Sequence, residues 1–280
     1  MQSIQLNNGV TMPIIGFGTY QITDPQECET AVLNAIDAGY RLIDTAQAYG
    51  NEVAVGNALA KSPVRRDELF ITTKLWFQDY ETTAAEEKLN ESLKNLQTDY
   101  LDLVLLHWPF GNTYAAYRVL EKFYQAGKIK AIGVSNYAES QLIDLIHFNE
   151  IVPAVNQVET NLYSQQLAAN QLMKKYQVAH QGYAPFGQNL ENSMFDEPAL
   201  IEIAEKYQKS PRQVVLRYFI QLGISVLPKS THKERMAENI AIFDFSLTEN
   251  EITLIASLDK NRPLIGNPQD PEKVTAAMTW

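Results

Sequence analysis

The chain has 280 residues, 45% of them hydrophobic and 20% charged, with a net charge of −10 and a single cysteine. That composition excludes intrinsic disorder, a disulfide framework and a broad basic surface for nucleic acid or membrane. No apolar run reaches the ~18 residues of a membrane span. Met1-Gln2-Ser3-Ile4-Gln5-Leu6 lacks the basic and apolar regions of a secretory signal, so a cytoplasmic globular protein is expected.

At the N-terminus, Ile4 and Leu6, then Val10 and Met12, alternate with polar residues around Asn7-Asn8-Gly9, the pattern of a β-hairpin. After it a short β-branched run, a polar loop and an amphipathic stretch recur. The runs at 14–19, 41–45, 69–74, 102–107, 129–135, 154–158, 178–183 and 224–228 read as strands. Helical stretches follow them, as at 26–38, 51–60, 84–96, 115–126, 139–147 and 167–176. Asp24-Pro25 and Ser210-Pro211 read as an N-cap with proline in the first turn, and Gly39 and Gly127 sit just past helix ends.

Strands that alternate with helices require a parallel sheet with right-handed crossovers. Eight such units predict an α/β fold, a single closed (β/α)8 TIM barrel with an N-terminal β-hairpin, occupying residues 1–280 as one domain. A doubly wound sheet is the alternative, but Gly16-Phe17-Gly18-Thr19-Tyr20-Gln21 lacks the third glycine of its dinucleotide fingerprint. Gly133-Val134-Ser135-Asn136-Tyr137 likewise lacks the closing glycine of a nucleophile elbow. The four histidines are too scattered for a local metal motif, and none is expected.

Chemistry in such a barrel gathers at the C-terminal ends of the strands. The second run ends at Asp44, with Tyr49 in the loop beyond; the third ends at Lys74 and the fourth at His107. Singly, each has a structural reading as cap, strand exit, loop packing or core imidazole. Jointly, an acid, a base, an imidazole and a phenol on one rim suit proton delivery to a carbonyl oxygen. A phenol of ordinary pKa about 10 is protonated at neutral pH and can act as a general acid. A neighbouring ammonium would lower that pKa, and a desolvated ammonium needs a carboxylate, for which Asp44 is at hand. Neutral His107 could orient the carbonyl.

Here the sequence resembles the aldo-keto reductase superfamily over essentially its whole length. The matching residues are Gly39-Tyr40-Arg41-Leu42-Ile43-Asp44-Thr45-Ala46 with Tyr49, Asn51, Glu52 and Gly56, then Thr72-Thr73-Lys74-Leu75-Trp76, 102–109 and 127–136. The resemblance, to members such as the bacterial 2,5-diketo-gluconate and glyoxal reductases, implies reduction of a carbonyl by hydride from a nicotinamide. Tyr49 would give the proton, Lys74 and Asp44 would tune it, and His107 would place the substrate. It also implies that Ser135, Asn136 and Gln157 hold the nicotinamide carboxamide and that Tyr183 stacks on the ring. Two departures stand out: His180-Gln181-Gly182 precedes Tyr183 where the family usually has small or apolar residues, and Ala184 replaces a common serine.

Beyond the last strand run lie Lys229, Ser230 and Thr231. Thr231 and Glu234 have capping-box spacing, so a helix is expected to begin there with an anion site at its N-terminus. Arg235, Glu238 and Asn239 share one face of that helix. The resemblance makes this the pocket for the adenosine end of NADP, and the absence of an acid between Lys229 and Lys233 favours NADPH over NADH. By the same resemblance Tyr20, Trp76 and Trp108 line the substrate mouth, with core packing the stronger competitor for Trp108. The segment ending in Met278-Thr279-Trp280 is a candidate cover for the opening. The expected partner is a small carbonyl compound, and a monomer is expected. Two alternatives remain: a non-catalytic dinucleotide-binding relative, and a barrel glycosidase using Asp44 and Glu159 as its carboxylate pair.

Overall fold

An antiparallel hairpin opens the chain, with β1 (Ser3–Gln5) paired to β2 (Thr11–Pro13) and Ile4 opposite Met12. Its turn passes through Gly9 at φ +85°, a left-handed conformation that glycine adopts without strain. The computed structural model describes residues 2–190, 192–265 and 267–279. Eight parallel strands then follow in sequence order, each hydrogen-bonded to the next: β3 (Phe17–Gly18), β4 (Leu42–Asp44), β5 (Phe70–Leu75), β6 (Leu103–Leu106), β7 (Ile132–Ser135), β8 (Val155–Glu159), β9 (Ala179–Tyr183) and β10 (Ser225–Leu227). An Ile15–Val226 bridge and a 2.9 Å bond from the Gly16 N–H to the Val226 carbonyl close the sheet into a barrel. Gly16 keeps that seam tight, because a Cβ there would lie 2.2 Å from Leu42 Cδ2 and force that side chain to shift.

Helices cover the outside. They are α1 (Pro25–Asp37), α2 (Glu52–Lys61), α3 (Thr82–Asn95), α4 (Thr113–Gln125), α5 (Glu139–Phe148), α6 (Leu167–Lys175), α7 (Pro198–Tyr207), α8 (Pro211–Gln221), α9 (Lys233–Ile240), α10 (Glu249–Ala256) and α11 (Pro271–Ala277). Asp24 caps α1 by accepting from the Glu27 N–H at 2.7 Å, and Ser210 forms a capping box with Gln213 at α8. The expected box at α9 is absent. The N-cap is His232 without a side-chain cap, and Ser230 Oγ, one residue ahead of Thr231, takes the His232 N–H at 3.1 Å. That turn moves the helix start past Thr231, and Glu234 becomes a first-turn acid.

The inner face of the barrel explains where chemistry can sit. Side chains alternate in and out along a strand, and the inward set is apolar low in the barrel and polar at its C-terminal rim. Leu42, Phe70, Leu103, Leu105, Val155 and Leu227 form a buried cluster with Leu6 and Met12 of the hairpin. The hairpin therefore plugs the lower end. Asn8 Nδ2 donates to the Lys130 carbonyl at 2.8 Å and Asn7 Nδ2 to that of Pro153 at 3.1 Å. Two residues beyond Leu42 stands Asp44; two beyond Leu105, His107; two beyond Val155, Gln157. The larger core lies between barrel and helices. No helix among the described residues is long and apolar enough to cross a membrane.

Candidate active site

Lys74 is fully buried at the rim end of β5. Its ammonium carries three protons, and all three find acceptors: Asp44 Oδ1 at 2.5 Å, the Thr45 carbonyl at 3.0 Å and the Tyr49 hydroxyl at 3.3 Å. Burial draws the Lys74 pKa down and Asp44 opposes the shift. The complete set of three acceptors matches the charged form.

Tyr49 is carried on a 3-10 turn, Gln47–Tyr49, in the stretch expected as a loop. Gln47 fastens the turn, accepting from the Trp76 N–H at 3.1 Å and donating to Ser92 Oγ at 3.0 Å. Asn51, just beyond it, accepts from Thr45 Oγ1 at 2.8 Å and donates to the Thr19 carbonyl at 3.0 Å. Behind both, buried Glu52 accepts from Thr73 Oγ1 at 2.6 Å, and burial raises its pKa. The phenol's own pKa moves opposite to expectation. Burial first, then the charge of Asp44, holds it well above 10, because desolvation of a phenolate outweighs the nearby ammonium. The hydroxyl is firmly protonated.

His107 is neutral for a similar reason: burial first, then Lys74, push its pKa well below 6.5. Its Nδ1 is buried without a hydrogen-bond partner. The ring meets Tyr49 edge-on at 5.7 Å and Trp76 at 5.2 Å between centroids.

Asp44, Tyr49, Trp76 and His107 border one cleft of about 1240 Å3, with Lys74 buried behind them, and the cleft also takes in nearly every other residue singled out from the sequence. Ser135, Asn136, Gln157 and Tyr183 line it, as do Lys229, Ser230, Thr231, Arg235, Glu238 and Asn239. Ser135 Oγ donates to the Gln157 carbonyl at 2.8 Å, and the Tyr183 hydroxyl donates to Asn136 Oδ1 at 2.8 Å. Glu238 is steadied by Ser210 Oγ at 2.5 Å. Ala184 follows Tyr183 at φ +50°, a strained left-handed conformation for alanine that turns the chain sharply at the rim. Tyr20, Trp76 and Trp108 all face the cleft. Tyr20 is 45% exposed and packs on Tyr49 at 4.9 Å, while Trp108 is half-buried and stacks on Phe110 at 5.6 Å, so it both packs and lines.

Several contributors lay outside the sequence reading. Arg212 of α8 borders the cleft with its guanidinium 4.2 Å over the Phe195 ring; the Ser210-Pro211 helix start was its only signal. From α11 come Lys273, Val274, Ala276 and Ala277, so the C-terminal segment does flank the opening; Trp280 lies outside the described residues. Glu159 is the residue that fastens this segment. Its Oε1 accepts from the Leu264 N–H at 2.6 Å and from Asn161 Nδ2 at 2.9 Å, and its Oε2 from the Ile265 N–H at 3.1 Å. With Asp44 bonded to Lys74 and Glu159 bonded to backbone, the two carboxylates do not form a glycosidase pair.

Known proteins resemble this chain in sequence and in fold. The sequence model of the aldo/keto reductase family matches residues 14–260. A glyoxal reductase of Bacillus subtilis is 41% identical over 271 residues, covering 96% of each chain. The methylglyoxal reductase DkgA of Salmonella typhimurium is 39% identical over 268 residues, covering 95% of this chain and 96% of its own. A Bombyx mori aldo-keto reductase solved in complex with NADP superimposes with a TM-score of 0.89 at 36% identity, covering 95% of both chains. The chain belongs to the aldo/keto reductase family.

Proposed function

We propose that Tyr49 gives the proton in an NADPH-dependent reduction of aldehydes and ketones to alcohols, with Lys74, Asp44 and His107 as its partners. The observation that carries this reading is the Lys74 ammonium, bonded at once to Asp44 and to the Tyr49 hydroxyl on the wall of the cleft. The residues present fit the coenzyme. Ser135, Asn136 and Gln157 offer the mixed donors and acceptors that a carboxamide needs, and Lys229, Ser230, Thr231 and Arg235 in the same cleft offer cations and hydroxyls for phosphates. NADPH, when bound, supplies the hydride.

The protein's own groups do the rest. His107, neutral, donates from Nε2 to the carbonyl oxygen and holds it near the phenol. Tyr49 passes its proton to that oxygen as alkoxide character develops, and the Lys74 ammonium stabilises the phenolate left behind. Asp44 keeps Lys74 charged in a dry site. Every group named comes from one chain, so the chemistry needs no second copy, and the reading is of one catalytic domain over residues 1–280 acting in the cytoplasm as a monomer.

The substrate reading follows from the mouth. Tyr20, Trp76 and Trp108 line the cleft that Tyr49 faces, and the named activities of the two bacterial relatives point to glyoxals and small aldehydes. Following NADPH absorbance with methylglyoxal and a panel of short aldehydes tests this directly. Turnover is expected with several of them; binding of NADPH with oxidation by none overturns the catalytic reading.

Because α11 flanks the cleft yet buries only Ala277, shortening the chain after Pro268 has a distinctive expected result. KM changes several-fold across the aldehyde panel while the melting temperature moves by only a few degrees, about what ~1 kcal/mol gives in a chain of this size. An unchanged substrate profile in the folded, shortened protein assigns the wall of the mouth to other residues.

A further inference from the structure

Among the inward-facing side chains, Gln181 is fully buried one strand over from Gln157 and directly paired with it in register. It belongs to the tripeptide that departs from the family pattern, and nothing in the chemistry above uses it. Its role follows from the direction of the hydrogen bonds around it.

Asp44 paired with an ammonium is a carboxylate and can only accept. Its Oδ1 takes Lys74, and its Oδ2 takes a proton from Gln157 Nε2 at 2.8 Å. The amide of Gln157 is thereby oriented with its nitrogen inward. The second proton on that nitrogen goes to Gln181 Oε1, also at 2.8 Å. With its carbonyl engaged, Gln181 turns its own nitrogen to Ser225 Oγ at 3.2 Å, with the Met12 sulfur at 3.7 Å. One negative charge at the rim thus sets the polarity of a line of groups running down to the hairpin. Gln157 borders the cleft, and with both N–H bonds turned inward it presents its carbonyl oxygen, an acceptor.

We propose that Gln181 is a positioning residue for the reductase. It holds the Gln157 amide so that the carbonyl alone faces the coenzyme, ready for the amino side of the nicotinamide carboxamide, and so that Asp44 stays aligned on Lys74. Without an acceptor at 181, one Gln157 N–H is left buried and unpaired unless the amide turns over, and the turned amide offers the coenzyme a donor where an acceptor is needed. The proposal rests on Gln157 as a carboxamide ligand, and the experiment separates the two.

NADPH affinity is measured by quenching of tryptophan fluorescence, alongside steady-state kinetics with methylglyoxal, on folded Gln181→Leu, Gln181→Glu, Ser225→Ala and Gln157→Ala variants. Gln181→Leu is expected to weaken NADPH binding ~10-fold with the KM for methylglyoxal nearly unchanged, a split that loosening of the barrel as a whole does not produce. Gln181→Glu restores the affinity of the parent, because a buried neutral carboxyl accepts with its carbonyl and donates with its hydroxyl as the amide does. Should Gln181→Leu fail to fold, Ser225→Ala decides: it frees Gln181 to rotate and gives the same split at a loss of about threefold. Wild-type affinity in Gln181→Leu, or in Ser225→Ala where that variant decides, beside a tenfold loss in Gln157→Ala overturns the role of Gln181 alone. Wild-type affinity in Gln157→Ala overturns the carboxamide assignment and the proposal with it.

Discussion

Turnover in a Tyr49→Phe variant is expected to fall by roughly 10²–10⁴-fold, the usual range for loss of a general acid, with NADPH binding nearly intact. The change deletes one oxygen and leaves the ring, so the packing against Tyr20 at 4.9 Å and His107 at 5.7 Å persists. What disappears is the hydroxyl 3.3 Å from Lys74 Nζ. Because burial holds that hydroxyl well above pKa 10, it stays protonated across neutral and mildly alkaline pH, and reduction by the parent protein should show no loss from phenol ionisation there. A variant keeping half of the parent turnover, with chemistry shown to be rate-limiting, removes Tyr49 from this role. Lys74→Met should be comparably damaging. It also leaves Asp44 buried without its counter-charge, a change that typically costs about 3–5 kcal/mol, so its melting curve must accompany its rate.

Arg235→Ala is expected to raise the KM for NADPH by about one to two orders of magnitude and the KM for NADH far less. A charge-assisted hydrogen bond is worth roughly 1.5–3 kcal/mol, and each 1.4 kcal/mol is tenfold. The two coenzymes differ by the 2′-phosphate, and the planar fork of arginine suits that group. Arg235 stands on the cleft side of α9 with Lys229, Ser230 and Thr231 beside it, while Arg212 approaches from α8. In a chain of net charge −10 this gathering of cations is local and specific. Equal losses for both coenzymes would place Arg235 on the shared part of the dinucleotide and overturn the phosphate assignment.

The strand-end logic made Asp44, Lys74 and His107 legible, because each lies an even number of residues past an apolar inward residue of its own strand. All eight barrel strands were likewise visible as apolar runs, most with bounds trimmed where pairing stops, while β5 and β8 run one residue further than expected. The failures have physical causes. Thr231 has the right spacing to Glu234 for a cap, but the turn in which Ser230 Oγ takes the His232 N–H delays the helix, so His232 becomes the N-cap and Thr231 lies outside it. The helices at 249–256 and 271–277 went unread although Thr248 and Glu251 carry a capping box. Gln181 was noticed as odd, yet its partners Gln157 and Ser225 lie 24 and 44 residues away along the chain, so its use emerges only when the strands are laid side by side. Glu159 was taken for a possible reacting acid, whereas it binds backbone more than 100 residues downstream.

The plug at the lower end of the barrel has a consequence for how the molecule is made. Leu6 and Met12 leave the ribosome well ahead of the barrel strands, but the surface they seal includes Leu227, and the carbonyls that hold Asn7 and Asn8 belong to Pro153 and Lys130. At ~5–20 residues per second, about 10–45 s separate the hairpin from the last strand it meets. Through that interval two apolar side chains and an incomplete parallel sheet have nothing final to pack against. A hairpin translated ahead of every barrel strand is thus among the last pieces to be seated, and nascent chains stalled before residue 227 should be those most readily captured by chaperones.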